Sequence, residues 1–128
     1  MPVTYKIDAE KKTIRTKCVG HVKLQEVIDH FKALAKDPDC PQLLNVFLDL
    51  RETDSLPSPN HISVVVNQVG KVRSRIQFGA CAIVTSRDAL FGTMRMFEAR
   101  AEEFFVVTRT FRTAAEAEEW LAIQQSGI

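Results

Sequence analysis

The first twenty residues alternate between apolar and polar side chains. Val3, Tyr5 and Ile7 are separated by polar residues, and the same alternation returns in the segment Ile14–Cys18 after a polar stretch at 8–12. A repeat of two is typical of a β-strand with one buried face, because successive side chains point to opposite faces. The pattern therefore predicts a hairpin of two antiparallel strands at one edge of a sheet.

The period then changes to that of a helix. Apolar residues recur every three or four positions until Asp37-Pro38, which ends the stripe of Leu24, Val27, Ile28, Phe31, Leu34 and Ala35. This spacing predicts an amphipathic helix packed on a sheet. The next segment, Leu44–Leu50, is almost continuously apolar, which predicts a central strand covered on both faces.

Two more helices and a strand are predicted in the middle of the chain. Ser58 followed by Pro59 is typical of a helix start, because serine caps the first turn and proline suits its first position. Apolar residues at helical spacing continue this helix to Ile76. Ala80–Val84 is predicted to be a second buried strand. The following helix carries an apolar stripe of Leu90, Met94, Phe97 and Ala101.

The chain ends with one more strand and helix. Phe104–Val107 is predicted to be a third buried strand, and Thr113–Glu116 has the pattern of a capping box ahead of the final helix. The order of elements is ββαβαβαβα. This alternation predicts a single α/β domain over residues 1–128, with a mostly parallel five-stranded sheet, four flanking helices and the hairpin as an antiparallel edge.

Composition and charge narrow the classes of function. Apolar residues make up 45% of the chain and charged residues 26%, as in soluble globular proteins. The 17 basic and 16 acidic residues nearly cancel, which argues against binding of nucleic acid through long-range attraction. The amino terminus lacks a signal-peptide core, and no stretch reaches the roughly 20 apolar residues of a membrane span. A cytoplasmic protein without a transmembrane segment is predicted.

The cysteines and histidines show no spacing typical of a metal site or a disulfide framework. Cys18 and Cys81 lie in predicted strands and are expected to be buried, whereas Cys40 lies in a loop and is expected to be accessible. We expect surface or loop positions for His21, His30 and His61. No nucleotide-binding glycine loop or hydrolase motif is found. The sequence predicts no catalytic residue, no metal and no cofactor.

Polar residues cluster after the predicted parallel strands, at the edge where α/β proteins usually bind ligands. If the strands are parallel, their carboxyl ends meet there beside three helix N-termini, which favour anions. We call the polar set at this edge the rim: Asp49, Arg51, Ser86, Arg87 and Arg109. Its serines and arginines are interpreted either as helix caps and solvated surface, or as a phosphate or phosphorylation site.

The helix after the rim combines soft apolar residues with alternating charges. Met94 and Phe97 fit its core stripe, whereas Phe91 and Met96 lie off the centre of the stripe. An exposed contact surface would use the latter two residues. The candidate interaction helix thus includes Phe91, Met94, Met96 and Phe97.

Nearly the whole chain resembles the SpoIIAA-like branch of the STAS domains (sulfate transporter and anti-sigma factor antagonist), a group related to Sec14-type lipid-binding domains. The resemblance rests on the opening hairpin and on four segments: Val46–Arg51, Pro57–Pro59, Phe91–Glu98 and Phe111–Leu121. It implies an α/β fold and a regulatory module without enzymatic activity.

The resemblance also implies a phosphoacceptor serine after the third strand, where a kinase-like partner would phosphorylate it. The nearest counterpart is Ser58, with Ser55 as the second candidate. The usual Asp-Ser-Ser/Thr-Gly motif of anti-sigma factor antagonists is replaced here by Asp54-Ser55 followed by Leu56.

Three functions remain open from the sequence. The leading hypothesis is a STAS-like module that acts through an unknown protein partner and forms a homodimer, with phosphate control as an open alternative. The alternative is a carrier of a small apolar or anionic ligand, such as a lipid or nucleotide, in a cleft beneath Met94–Phe97 whose anionic end is held by Arg51, Arg87 or Arg109. An enzyme using Asp49 and a rim arginine is the third.

Overall fold

Strands and helices alternate along the chain in the predicted order, in a computed structural model that describes residues 2–126. Their bounds are β1 Val3–Asp8, β2 Thr13–Gly20, α1 Leu24–Lys36, β3 Leu43–Thr53, α2 Pro59–Val72, β4 Gln77–Val84, α3 Asp88–Ala101, β5 Val107–Phe111 and α4 Ala114–Ser126. Within these residues no helix has the length and hydrophobicity needed to cross a bilayer.

The five strands form one sheet in the order β1-β2-β3-β4-β5. Strand β1 pairs with β2 in the antiparallel sense, and every other neighbouring pair is parallel. The predicted mostly parallel sheet with an antiparallel edge hairpin is therefore confirmed. The parallel arrangement also brings the carboxyl ends of β2 to β5 to one edge of the sheet.

The sheet separates two layers of unequal thickness. Helices α1, α2 and α3 lie on one face, where Leu34, Val69 and Leu90 are buried in one cluster. Helix α4 covers the other face, where Ala117 and Leu121 pack against strand residues in a separate apolar cluster. Strand β3 is thus covered on both sides, as its apolar run predicts.

Two helix starts confirm the caps read from the sequence. Ser58 Oγ accepts a hydrogen bond from the backbone N–H of His61 at 3.2 Å, and Pro59 is the first residue of α2. Thr113 Oγ1 accepts from the backbone N–H of Glu116 at 3.3 Å ahead of α4. Each bond satisfies one of the donors that a helix start leaves unpaired.

The predicted buried strand Phe104–Val107 is wrong. Phe104 and Phe105 lie in a turn after α3, in which both backbone N–H groups donate to the Ala101 carbonyl. The strand begins at Val107, lies at the sheet edge, and alternates in burial rather than being buried throughout. Phe105 is buried because its ring packs against core aromatics rather than because it belongs to a strand.

Two smaller expectations are also wrong. Helix α2 ends at Val72 rather than Ile76, although Ile76 is fully buried in the turn that follows. Cys40 is not accessible, because its loop folds over it and leaves it 5% exposed. Cys18 and Cys81 are buried in strands as expected.

Candidate functional site

A cavity of about 520 Å³ lies between the sheet and the three helices α1, α2 and α3. Its volume falls within the roughly 300–1,000 Å³ that is typical of small-molecule sites. Most of its lining is aliphatic or aromatic, and the central floor consists of Ile14, Val46, Leu48 and Leu50. An apolar cavity of this size at the helix-covered face is the main candidate for a functional site.

Small side chains on the floor explain why the cavity exists. Thr16, Cys18 and Cys81 point from the sheet towards the helices and fill little of the space beneath them. A larger side chain at these positions would close the gap, because protein interiors pack at close to crystal density. The void therefore follows from residue size on β2 and β4.

A group of aromatic rings at one end holds the helices away from this floor. The ring centroids of Phe31 and Phe78 are 6.4 Å apart, those of Phe78 and Phe105 are 5.0 Å apart, and those of Phe97 and Phe105 are 6.4 Å apart. Phe78 lies near the amino end of β4, so this aromatic cluster closes the cavity at the amino edge of the parallel strands. The bulky rings prevent the helices from settling onto the small floor residues.

The floor of the cavity keeps apolar surface accessible in the middle of the fold. Val46 and Leu48 are only half-buried, although both lie on the central strand beneath three helices. Phe47, which faces α4 on the opposite side, is buried. A small apolar molecule in the cavity would remove this surface from water, which is favourable by about 25 cal/mol per Å².

The cavity opens at the carboxyl edge of the parallel strands. Its exposed lining residues are all in the segments before α1 and around the start of α2: His21, Lys23, Leu56 and His61. We call this opening the mouth. It lies at the edge predicted from the strand order, where α/β proteins commonly bind ligands.

Hydrogen bonds tie together the two segments that form the mouth. Thr53 Oγ1 donates to the Gly20 carbonyl at 2.8 Å, and Ser55 Oγ accepts from the backbone N–H of Val22 at 2.6 Å. Ser55 Oγ also lies 3.3 Å from the Val22 carbonyl, to which it donates. Arg87 donates to the carbonyls of Asp54 and Ser55 from the start of α3. These bonds hold the mouth in a defined shape.

The predicted rim does not form one site, because the sheet divides it. Asp49 and Arg51 share the face of Phe47, which packs against α4, since side chains alternate along β3. Arg51 holds Asp49 through two side-chain hydrogen bonds of 3.0 and 2.8 Å, and this pairing lowers the pKa of Asp49. The pair acts as a clamp at the end of β3, on the side away from the cavity.

The other rim residues also lie outside the cavity lining. Arg109 on β5 extends over the ring of Phe111, which belongs to the α4 side. Ser86 is exposed, and Arg87 is occupied by the loop carbonyls. None of Arg51, Arg87 and Arg109 lines the cavity that the structure contains, and a rim arginine that holds the anionic end of a ligand stays a prediction from the sequence.

The two candidate phosphoacceptors differ in their surroundings. Ser58 is exposed at the N-terminus of α2 and its hydroxyl caps that helix. Ser55 is half-buried, lines the cavity and is engaged with Val22. A phosphate would disrupt the mouth at Ser55, whereas at Ser58 it would meet a helix N-terminus.

The candidate interaction helix contributes more to the cavity than to the surface. Met94 and Phe97 are buried and line the cavity. Phe91 is half-buried beneath the guanidinium of Arg112, whose Cζ lies 4.3 Å from the ring centroid, and Met96 is also half-buried. The expected cleft beneath Met94 and Phe97 is thus part of a larger cavity that extends to α1.

His30 is the functional candidate that the sequence analysis misplaced. Its ring is neither in a loop nor at the open surface: it packs edge-on against Tyr5 and Phe31, with centroids 5.2 and 5.4 Å away, and it lines the cavity. Burial lowers the pKa of His30 from 6.5 to about 4. The imidazole is therefore neutral at physiological pH. Its place in the apolar stripe between Val27 and Leu34 was the available signal.

We expect His30→Phe to reduce the acid sensitivity of folding. A folded-state pKa below the unfolded value means that stability is complete above about pH 6.5 and falls as the pH approaches 4. The shift corresponds to roughly 3 kcal/mol, and solvent access to the half-buried ring reduces this to about 2 kcal/mol. Urea denaturation at neutral and acidic pH measures the difference. An unchanged profile in His30→Phe contradicts the prediction.

The thiols near the cavity are protonated. Burial is the main cause that raises the pKa of Cys18 to about 11, with Asp49 adding to it, and burial also raises the pKa of Cys81. Thiols in this state are weak nucleophiles. Across residues 2–126, no group of three or more His, Cys, Asp or Glu side chains is arranged to hold a metal ion.

Solved structures include one that matches this architecture along almost its full length. The match covers 93% of this chain and 91% of the other, with a TM-score of 0.57 and 15% sequence identity. The matched protein is an uncharacterised member of the DUF3478 family from Shewanella loihica PV-4, described as having a SpoIIAA-like fold. This chain has a SpoIIAA-like fold. The predicted fold is thereby confirmed. No protein-family model and no curated protein matches the chain.

Within this SpoIIAA-like fold, the sequence analysis predicted a cleft beneath Met94 and Phe97 but not the extension of the cavity to α1. The segments that carry the family resemblance lie mainly in the sheet and at helix starts. The cavity depends instead on small floor residues and on the aromatic cluster. Thr16, a polar residue among the inward positions of β2, was visible in the alternation of Ile14, Thr16 and Cys18. Its contribution to the cavity is recognisable only in the structure, which shows the unfilled space between Thr16 and the helices.

Proposed function

We infer that this protein binds one small apolar molecule in the cavity between the sheet and α1–α3. The observation that carries this inference is the apolar cavity of about 520 Å³, whose exposed lining residues lie at the mouth. The accessible surface of Val46 and Leu48 supports it, because a bound molecule would cover apolar atoms that the fold itself leaves uncovered. A lipid chain or a compact ring system fits this description.

We place this function with binding proteins rather than enzymes. The neutral His30 and the protonated Cys18 and Cys81 are suited to an apolar environment, and the carboxylate of Asp49, which is paired with Arg51, lies on the other face of the sheet. The mouth residues surround a route by which a ligand could enter the cavity, and they do not form a pair of nucleophile and base. A cytoplasmic location and a homodimeric state stay predictions from the sequence.

Native mass spectrometry of freshly purified protein tests the proposed function. We expect one small molecule per chain, released by organic solvent, and recovery of a single site when the stripped protein is titrated with the dye anilinonaphthalene sulfonate. Circular dichroism before and after stripping controls for unfolding, because loosely packed states bind this dye non-specifically. A folded chain that neither carries a molecule nor binds the dye contradicts the proposal.

The regulatory interaction module is the second candidate. The observation that favours it is the exposed mouth segment, in which Leu56 presents an apolar side chain 56% exposed beside the accessible Ser58. Binding of a protein partner to this segment would depend both on whether the cavity is occupied and on a phosphate on Ser58. Phosphopeptide mapping of protein from its own host tests the modification, with Ser58→Ala as the control. Absence of the phosphate under every growth condition tested would remove phosphate control of Ser58 from this candidate.

A further inference from the structure

The lining of the cavity contains a cation and no carboxylate. Among residues 2–126, no aspartate or glutamate lines the cavity, and Lys23 is the one lysine or arginine that does. Lys23 is exposed at the mouth, whereas the interior is bounded mostly by aliphatic and aromatic side chains and by the neutral His30. A molecule inside the cavity therefore meets apolar surface along its length and a positive charge at the opening.

The fold fixes the backbone of Lys23 but leaves its ammonium group without an ion pair. Lys23 is the residue before α1, and its backbone N–H donates to Oε1 of Glu26 at 2.9 Å. The ion pairs formed within residues 2–126 do not include Lys23. Glu26 thus caps the first turn of α1 without contacting the ammonium group, and the charge of Lys23 is available to a group at the mouth.

Two further cations are attached to the opposite side of the mouth. Arg87 donates to the Asp54 carbonyl at 3.1 Å, and Arg100 donates to the carbonyl of the first residue of α2 at 3.2 Å. Neither arginine forms an ion pair within the described part of the chain. Asp54 is the acidic residue of the segment 53–62. The three cations at the mouth therefore outnumber Glu26 and Asp54, and the local potential favours an anion over a cation.

The mouth also offers apolar contact beside this charge. Leu56 lines the cavity and is 56% exposed, and the carbon stem of a lysine packs along apolar surface while its ammonium group stays in water. An anionic group beside Lys23 keeps its contact with water, so it avoids the large cost of burying an ion in the apolar interior. A molecule with an apolar body and one anionic end therefore matches both parts of the site.

We propose that the bound molecule is an anionic amphiphile whose hydrocarbon body occupies the cavity and whose carboxylate or phosphate group lies at the mouth, where it pairs with Lys23. His21 and His61 belong to the same mouth, and each imidazole carries at least one N–H donor. This proposal rests on the proposed function and deepens it by assigning the charge of the ligand and its orientation in the cavity.

Four probes with the same decyl chain separate the possible charges of the ligand: decanoate, decyl phosphate, decanol and decyltrimethylammonium. Each is titrated into ligand-stripped protein by calorimetry at neutral pH, below the concentration at which it aggregates. We expect decanoate, decyl phosphate or both to bind about fivefold more tightly than decanol, since an ion pair near the surface contributes modestly. The cation is expected to bind the weakest. Added salt should weaken binding of the anions but not of decanol.

Substitutions of single cations locate the anionic end. Lys23→Gln should remove the preference for anions, and Lys23→Arg should keep it. Lys36→Gln is the matched control, because Lys36 is exposed at the other end of α1 and lies outside the cavity lining. Arg109→Gln, which removes a rim arginine, should also keep the preference.

Equal binding of decanol and both anions, tightest binding of the cation, or a preference for anions that survives Lys23→Gln would each overturn this inference while leaving the cavity as a binding site. Loss of the preference in Arg109→Gln would do the same, because the anionic end would then lie at the rim. A preference confined to one anion supports the inference and identifies the anionic group. Failure of all four probes on protein that binds anilinonaphthalene sulfonate would overturn it too, and failure of that dye as well would overturn the proposed function itself.

Discussion

Gly79→Ala should lower the free energy of unfolding by about 3 kcal/mol. A Cβ at this position would lie 2.4 Å from the Oδ1 atom of Asn45. Asn45 cannot simply swing away, because it is buried and its Oδ1 accepts a hydrogen bond of 2.8 Å from the backbone N–H of Ala80. Relieving the clash therefore combines overpacking with loss of a buried hydrogen bond, each of which costs about 1–3 kcal/mol. Urea denaturation measures the change.

Gly92→Ala is the matched control for this prediction. Gly92 is exposed within α3, and nothing lies within 4 Å of the Cβ it would acquire. Alanine is a better helix former, so this change should stabilise the protein by about 0.5–1 kcal/mol. In an Asn45→Ala background, the penalty of Gly79→Ala should largely vanish, because the clashing atom is gone. A penalty that persists there would assign the cost to something other than the Asn45 contact.

Leu48→Trp should weaken binding of a cavity ligand by roughly sixtyfold. Leu48 is half-buried in the floor, and an indole at this position would extend into the space that a ligand needs. If it displaces about 100 Å² of ligand contact, the loss is about 2.5 kcal/mol at about 25 cal/mol per Å². Titration with anilinonaphthalene sulfonate, on protein whose circular dichroism matches the wild type, measures the effect.

Val106→Trp provides the comparison for the cavity-filling variant. Val106 is 81% exposed just before β5 and lies outside the cavity lining. Introducing a tryptophan there should therefore leave the dissociation constant of anilinonaphthalene sulfonate unchanged. If Leu48→Trp binds the dye as tightly as the wild type, the dye occupies another surface and the cavity loses its principal support.

The fold follows closely from the sequence where one local signal dominates. Alternation predicts β1 and β2, the helical stripe predicts α1, and the caps at Ser58 and Thr113 locate two helix starts. The prediction fails at Phe104–Val107, because aromatic residues suit a buried strand and a core-packed turn equally well. Only the packing of Phe105 against Phe78 distinguishes the two.

The candidate site follows from the sequence much less closely. The edge of the sheet that carries the mouth is predictable from parallel strand order, but the rim residues Asp49, Arg51 and Arg109 belong to the other face. Which face a strand-end side chain occupies depends on register and on irregularities in the sheet. A cavity arises where neighbouring side chains leave space unfilled. Its volume depends on several side chains that are distant in the sequence, so no single motif predicts it.

The aromatic cluster gives the two faces of the sheet different mechanical properties. On the α4 side, packed side chains leave little room for compression, whereas on the other side rigid rings hold a void open. Hydrostatic pressure favours states with smaller volume, and the void is lost when the chain unfolds. The unliganded protein is therefore the more compressible form, and an occupant that fills the cavity makes it resistant to pressure as well as to heat.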